Sequence, residues 1–268
     1  MFKIAAFGDE ISPDLNEQLT VMHQLGLDCL DLRSAWGINI SGFTNTDAER
    51  VRNILAENRF TVATIASPIG KIKITDEFTP HLAAFNRCVE LARYFQTPYI
   101  RIFSYYLPET QPADKYRDET LTRLQQQVDI ARRNNLVLVL ENEEGLYGAV
   151  PERCLDLVRT INSPHLRIAF DPANYVLVDV KPYTRAYPLL QEYIEICHLK
   201  DGFYHNRSIT PVGEGEARIK DILTALRQKN RLYLLSIEPH LAAAGKFGGF
   251  SGVDLFSTAV RAVQKIVT

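Results

Sequence analysis

Four residues carry most of the chemistry this sequence offers: Glu141, Asp171, His198 and Glu238. Each follows or ends a short apolar run, VLVL before Glu141, RIAF before Asp171, IEIC before His198 and YLLSI before Glu238. Strand-end carboxylates are common on protein surfaces, so any one of them alone means little. Four in register, each about one strand–helix unit apart, argue for a single site. Three carboxylates and one imidazole make an oxygen-rich donor set that suits a hard divalent ion. Mn2+ or Mg2+ leads, with Co2+ or Zn2+ also admissible. An ion held there would act as a Lewis acid on a bound substrate oxygen.

Such residues meet only if the runs that carry them are neighbouring strands. Val137 to Leu140 is apolar on both alternating faces, the pattern of a strand covered on both sides in a parallel sheet. Seven more runs read the same way: Phe2–Phe7, Cys29–Leu32, Phe60–Ala66, Tyr99–Phe103, Leu166–Phe170, Ile194–Cys197 and Leu232–Ile237. Helical stripes alternate with them. Ser12 is the expected N-cap of a helix burying Leu15, Leu19 and Met22, and Thr46 with Glu49 is the expected capping box of a second. Thr79-Pro80 opens a third, Leu121, Leu124 and Val128 mark a fourth, and Pro151–Thr160 is a fifth. Weaker periodicity over Arg185–Tyr193, then Ile219–Leu226 and Val253–Ile266, completes the set. Strict alternation implies parallel strands and right-handed crossovers, and eight units in a chain of 268 residues imply one α/β domain, 1–268, a single (β/α)8 TIM barrel. The first turn, Gly8-Asp9-Glu10-Ile11-Ser12, lacks the glycine fingerprint of a dinucleotide-binding open sheet.

Composition excludes other classes. A formal charge of -2 and a pI near 6.3 are wrong for a protein that neutralises phosphate backbones, so no nucleic-acid partner is expected. The start, MFKIAAFGDE, is broken too early for a secretory segment, and no run approaches the roughly 20 apolar residues that span a bilayer. Cys29, Cys88, Cys154 and Cys197 have no C-x-x-C spacing and read as reduced, buried thiols of a cytoplasmic protein. Homo-oligomerisation is compatible with all of this.

A second rank of residues lies near the same strand ends. Glu143, two beyond Glu141, points the same way on an extended chain and is a candidate substrate group. Arg101 and Lys71 follow strands four and three, where a cation meets substrate oxygens or balances carboxylates. Asp201 is expected to orient His198 or a substrate hydroxyl, Lys200 to point away, and His240 to face substrate. Trp36, the single tryptophan, follows strand two, where it either packs on the core or covers the apolar face of a ligand. The glycine-rich stretch Gly245–Ser251 precedes the last helix, where barrels often hold phosphate.

The segments Glu141-Asn142-Glu143, Asp171-Pro172-Ala173-Asn174, His198-Leu199-Lys200-Asp201 and Glu238-Pro239-His240 resemble the successive motifs of the sugar phosphate isomerase/epimerase superfamily, with its xylose isomerase-like barrel. The resemblance runs over nearly the whole chain, and H-x-K-D is its most specific part. It implies that Glu141, Asp171, His198 and Glu238 bind the metal and that Glu141 and Glu238 also move protons on the two faces of a small sugar or sugar phosphate. It further implies substrate contacts from Asn174 and Arg207. Relatives include ketose 3-epimerases, inosose dehydratase, hydroxypyruvate isomerase and an apurinic endonuclease. Isomerisation or epimerisation through a metal-held enediolate is therefore the leading expectation. The same metal-supported enediolate serves a lyase, a dehydratase or decarboxylase of a keto-sugar or inosose, as the alternative. A non-catalytic sugar-binding barrel is more remote. So is an abasic-site endonuclease, which uses three zinc ions where this chain has Arg33 and Ser67 at the ends of strands two and three.

Overall fold

The computed structural model describes residues 1–242 and 251–267. Eight parallel strands close into a barrel: β1 (Phe2–Ala6), β2 (Cys29–Leu32), β3 (Thr61–Ile65), β4 (Tyr99–Ile102), β5 (Val137–Glu141), β6 (Leu166–Phe170), β7 (Ile194–Leu199) and β8 (Tyr233–Ile237). They lie in sequence order around the barrel, and β8 pairs back to β1 through five residue pairs from Phe2 with Tyr233 to Ala6 with Ile237. The expected (β/α)8 architecture is thus the observed one. β7 runs two residues further than its apolar pattern implies and so takes His198 into the sheet.

The main crossover helices are α1 (Leu15–Gln24), α2 (Asn45–Asn58), α3 (Phe78–Tyr94), α4 (Arg117–Arg133) and α5 (Pro151–Ile161) in the first half of the chain. The second half has α6 (Pro172–Val176), α7 (Tyr187–Leu190), α8 (Ile219–Gln228) and α9 (Gly252–Val267). Two caps differ from expectation. Asp14, not Ser12, caps α1, its carboxylate accepting from the Asn16 and Glu17 amides. Thr44 and Asp47, not Thr46 and Glu49, form the capping box of α2. In both cases the cap lies two residues from the expected one, because short polar residues cluster at helix starts and only the backbone decides which has extended geometry. The weak pattern at 185–193 is a wide turn over Pro182–Ala186 leading into α7, and α6, right behind Asp171, was not foreseen. No described helix is long and apolar enough to cross a membrane.

Side chains alternate across each strand, so one set packs under the helices and the other fills the barrel. The lower barrel interior is an apolar plug of Ala5, Cys29, Ala63, Val139, Ala169, Ile196 and Leu234. Two residues further along the same strands come Asp31, Glu141, Asp171, His198 and Ser236, all buried. The plug fixes the height at which polar groups begin. Truncating a plug residue such as Ile196 to Ala removes packing worth about 2–5 kcal/mol and loosens the floor of everything above it. The four cysteines are free and buried, and burial pushes the Cys88 and Cys154 thiols up to about 12, which keeps them unreactive.

Candidate metal centre

Glu141, Asp171, His198 and Glu238 converge at the C-terminal mouth of the barrel, with one ligand atom from each lying within 4.8 Å of the others. His198 Nδ1 faces the carboxylates, 3.4 Å from Glu141 Oε1, 3.4 Å from Glu238 Oε2 and 3.7 Å from Asp171 Oδ2. Neighbouring strand ends hold these groups in place. Asn142 and Asp171 exchange two hydrogen bonds, the Asn142 amide donating to the Asp171 carbonyl at 2.9 Å and the Asp171 N–H to Asn142 Oδ1 at 3.0 Å. Asp171 caps α6 by accepting the Asn174 N–H at 2.8 Å on Oδ1, which leaves Oδ2 for the cluster. The Asn174 side chain then donates to Glu141 Oε1 at 3.2 Å and to the Asn142 carbonyl at 2.9 Å.

This donor set fits a divalent ion. Bonds of about 2.1 Å on opposite sides of an ion put ligand atoms about 4.2 Å apart, a few tenths less than the observed span and within side-chain adjustment. Glu141 Oε2, Asp171 Oδ2 and His198 Nδ1 are buried and lack an aligned hydrogen bond, as atoms waiting for a ligand should be.

Three buried carboxylates so close together need counter-charge, and the structure supplies it from two sides. Arg101 Nη1 lies 3.2 Å from Glu141 and 3.4 Å from Glu238. Lys200, expected to point away, is instead buried, 2.8 Å from Asp171 and 3.4 Å from Glu238. Arg33 reaches Asp9 through Nε at 2.7 Å, Glu10 through Nη2 at 2.8 Å and Glu238 through Nη1 at 2.9 Å. Burial alone pushes Glu141 up, but His198 and Arg101 outweigh it and bring its carboxyl down to about 2. Burial likewise opposes ionisation of Glu238, and Lys200 and His240 overcome it, holding Glu238 well below the usual range. The His198 imidazole, disfavoured as a cation by burial, is raised well above its ordinary value by Glu141 and the other carboxylates.

A cavity of about 500 Å³ opens over the cluster. Of the four clustered residues, Glu141 and Glu238 line it, together with Arg33, Lys71, Arg101, Glu143, Glu144, Asn174, Lys200 and His240, while Asp171 and His198 are not among its lining residues. Lys71 and Glu143 pair across the rim at 2.8 Å, with the Lys71 ammonium 4.4 Å from the Phe103 ring centre. His240 Nε2 lies 3.3 Å from Glu10 and 3.5 Å from Glu238.

Three residues of the second rank are placed elsewhere. The Asp201 carboxylate accepts the N–H groups of Gly202, Gly213 and Ala217 and so ties the loop after β7 instead of turning to His198. Trp36 packs on the hydrophobic core with the Arg50 guanidinium 3.8 Å over its ring, away from the cavity lining. Arg207 stands on the outer rim, half exposed and paired with Glu144 at 2.5 Å. Of the glycine-rich stretch, residues 245–250 lie outside the described residues. Ser251 is described, and its hydroxyl donates to Glu10 at 2.9 Å.

Arg33, Asp9, Glu10, Lys200 and Asn142 escaped the sequence reading as members of this site. Their signal was positional. Gly8-Asp9-Glu10 and Arg33 lie at the ends of β1 and β2 just as the four clustered residues lie at the ends of β5 to β8, but a lone Arg or an Asp-Glu pair after a strand has no distinctive ligand chemistry.

The comparisons with known proteins agree with this geometry. A model of the xylose isomerase-like TIM barrel family matches residues 19–248. Among solved structures, a D-tagatose 3-epimerase-like protein superimposes with a TM-score of 0.79 at 15% identity, covering 99% of this chain and 97% of that one. A probable 3-DHS dehydratase from Bacillus anthracis gives 0.76 at 16% identity, with 98% and 99% covered. A xylose isomerase-like TIM barrel protein from Mycobacterium smegmatis, solved in complex with magnesium, gives 0.71 at 16% identity, with 99% and 97% covered. At such identities the superpositions show a shared fold. No curated protein is significantly similar to the sequence. With the family model spanning most of its length, the chain belongs to the xylose isomerase-like TIM barrel family.

Proposed function

We propose that the protein is a divalent-metal-dependent isomerase or epimerase of a small sugar or sugar phosphate, working through an enediolate. The observation that carries this reading is that Glu141 and Glu238, alone of the four ligands, line the cavity, and do so from β5 and β8 with His198 between them. Two carboxylates that reach the substrate from different strands suit removal of a proton on one face and its return on the other. Asp171 and His198, deeper and tied by Asn174 and the strand, would complete the ion's ligand shell. The oxygen-rich donor set favours Mn2+ or Mg2+ over Zn2+ or Co2+. When bound, the ion polarises a substrate carbonyl and lowers the pKa of the adjacent C–H.

The chain's own residues do the rest. Glu141, held at Oε1 by Asn174, has Oε2 without an aligned hydrogen bond and 3.2 Å from the Arg101 guanidinium, and this is the oxygen that takes the proton. Both carboxylates stay ionised because Arg101 and Lys200 hold them so, which makes each available as a base. Arg33, Lys200 and His240 surround Glu238 and set its position. Lys71 and Glu143 at the rim offer a donor and an acceptor to substrate hydroxyls.

A lyase is the second reading, favoured by His240. Its imidazole lines the cavity beside Glu238, and although burial opposes the cation, Glu238 raises its pKa, so it can protonate a departing β-hydroxyl. Metal-free protein should be loaded separately with Mn2+, Mg2+, Co2+ and Zn2+ and assayed in deuterated water with a panel of ketoses and ketose phosphates. Wash-in of deuterium with isomer formation is expected. Absence of wash-in with every metal and sugar would overturn the proposal, and an enone absorbance without isomer would select the lyase.

A further inference from the structure

One half-buried histidine has no part in the site so far. His81 stands in the first turn of α3, outside the barrel and away from the cavity lining. Its ring is seated against two others, Tyr105 edge-on at 6.2 Å between ring centres and Phe78 at 6.4 Å. Its Nε2 accepts the Gly70 N–H at 2.7 Å. A ring nitrogen that accepts carries no proton, so His81 is a neutral imidazole protonated on Nδ1. Burial, helped by the charge of Arg123, lowers its pKa and favours that form.

Gly70 is where this contact takes effect. It lies in the loop after β3 with φ at +95°, and a Cβ there would stand 2.1 Å from the Phe103 carbonyl oxygen. Only glycine lets the backbone pass so close to the end of β4. The Ile69 carbonyl accepts the Phe103 N–H at 2.7 Å, and the Lys71 N–H closes a turn onto the Pro68 carbonyl at 2.9 Å. Backbone groups thus lay the loop along β4, while the buried Gly70 N–H is satisfied by a side chain of α3. An apolar ring at position 81 would pack on Tyr105 and Phe78 equally well but would leave that N–H without its acceptor. The next residue is Lys71, whose ammonium stands 4.4 Å from the Phe103 ring centre and 2.8 Å from Glu143 at the cavity rim. A lysine stem is flexible, so where its ammonium can reach depends on where its backbone is held.

We propose that His81 is the positioning residue of the rim cation: by accepting the Gly70 N–H it fixes the backbone from which Lys71 reaches Phe103, Glu143 and the substrate hydroxyls. The proposal rests on the reading of Lys71 as a substrate contact.

The test compares KM and kcat of Mn2+-loaded wild type, His81→Phe, His81→Gln, Lys71→Met and the double variant of His81→Phe with Lys71→Met. The probe is the ketose or ketose phosphate of the panel that washes in deuterium fastest. His81→Phe keeps a ring between Tyr105 and Phe78 but removes the acceptor, so KM is expected to rise about 3- to 10-fold, as for Lys71→Met, with kcat within about twofold of wild type. His81→Gln, whose side-chain oxygen can still accept from Gly70, should keep KM within about twofold of wild type. In the Lys71→Met background His81→Phe should raise KM less than about twofold, because the cation it positions is gone. A merely structural role would lower the melting temperature without this dependence on Lys71. Should His81→Phe fail to fold, His81→Asn, whose oxygen stops short of Gly70, takes its place. A folded variant without the acceptor that leaves KM at the wild-type value, or that raises KM by the same factor with and without Lys71, would overturn this proposal while leaving the reading of Lys71 intact. An unchanged KM in Lys71→Met would overturn both, as would a wild type that washes deuterium into no member of the panel.

Discussion

The two halves of the barrel mouth are built to opposite electrical rules. From β5 to β8 come the candidate ligands, Glu141, Asp171, His198 and Glu238, with Lys200 tucked among them. From β1 to β4 come the counter-ions, Arg33 and Arg101, with Asp9 and Glu10 behind Arg33. Glu238 on β8, next to β1 in the closed sheet, is where the halves meet, in contact with His198, Lys200, Arg33, Arg101 and His240. One half gathers the groups an ion would touch, the other the groups that make that cluster affordable in a buried setting. Chemistry should therefore fail when the first is cut, and folding when the second is.

The largest effect tests the ligand half. Glu238→Gln and Glu141→Gln each keep the side chain's shape but remove a base and a ligand charge, so kcat/KM on whichever sugar proves to be a substrate should fall by about 10³-fold or more, with weaker metal retention on dialysis. A residual rate within tenfold of wild type would move the proton transfer elsewhere.

The counter-ion half breaks differently. Arg33→Met takes from buried Asp9 its cation and leaves Glu10 only His240, and breaking such buried pairs costs about 3–5 kcal/mol. Differential scanning calorimetry should show a melting temperature lower by about 10 °C. Arg33→Lys keeps the charge but loses the three-way fork, so its loss should be smaller. A melting point unchanged in Arg33→Met would show that Arg33 does not hold these acids in place and that the comparison between the halves is wrong.

This asymmetry also explains what was legible in the sequence. The barrel was, because apolar runs of strand length alternate with helical stripes and few folds accept eight such units. The convergence of Glu141, Asp171, His198 and Glu238 was too, because carboxylate and imidazole at successive strand ends point to one place. Counter-ions carry no such mark. Lys200 follows His198 by two, the spacing that puts it on the same face, yet a lysine beside a ligand motif reads as solvated until three carboxylates are seen to need it. Asp201 looked like a ligand helper because of its place in H-x-K-D, but its oxygens went to the amides of Gly202, Gly213 and Ala217, partners that only the loop's path defines. Asp31 reads as one polar residue in Cys29–Leu32, and its place opposite Thr64 comes from a register shift that no periodicity encodes.

Asp31 lies under both halves and yields a pH test. Burial raises its pKa from 3.8 to about 6, against the hydroxyl of Ser236 and the charge of His198. A raised folded-state pKa means that the folded protein holds a proton the unfolded chain has lost. Its stabilising contribution is complete below about pH 4 and is lost as pH rises through about 6. In metal-free protein, the wild type should therefore lose up to about 3 kcal/mol relative to Asp31→Asn between pH 4 and pH 7, by the linkage between pKa and stability. Urea midpoints of both proteins at the two pH values check this, and parallel curves would show that Asp31 is already ionised at pH 4.

The smallest effect separates the rim from the floor. Lys71 and Glu143 pair at 2.8 Å, but their side chains are 34% and 27% exposed, so water screens the pair and its loss should cost under about 1 kcal/mol. Lys71→Met is then a nearly silent change in stability, unlike Arg33→Met, although both remove a cation that lines the same cavity. What it should change is substrate capture. A group that meets a sugar oxygen equally in ground and transition states raises KM about 3- to 10-fold when lost and leaves kcat alone. If kcat instead falls tenfold or more at unchanged KM, the Lys71–Glu143 pair acts in the transition state, and the division between a chemical floor and a binding rim has to be redrawn with the pair on the chemical side.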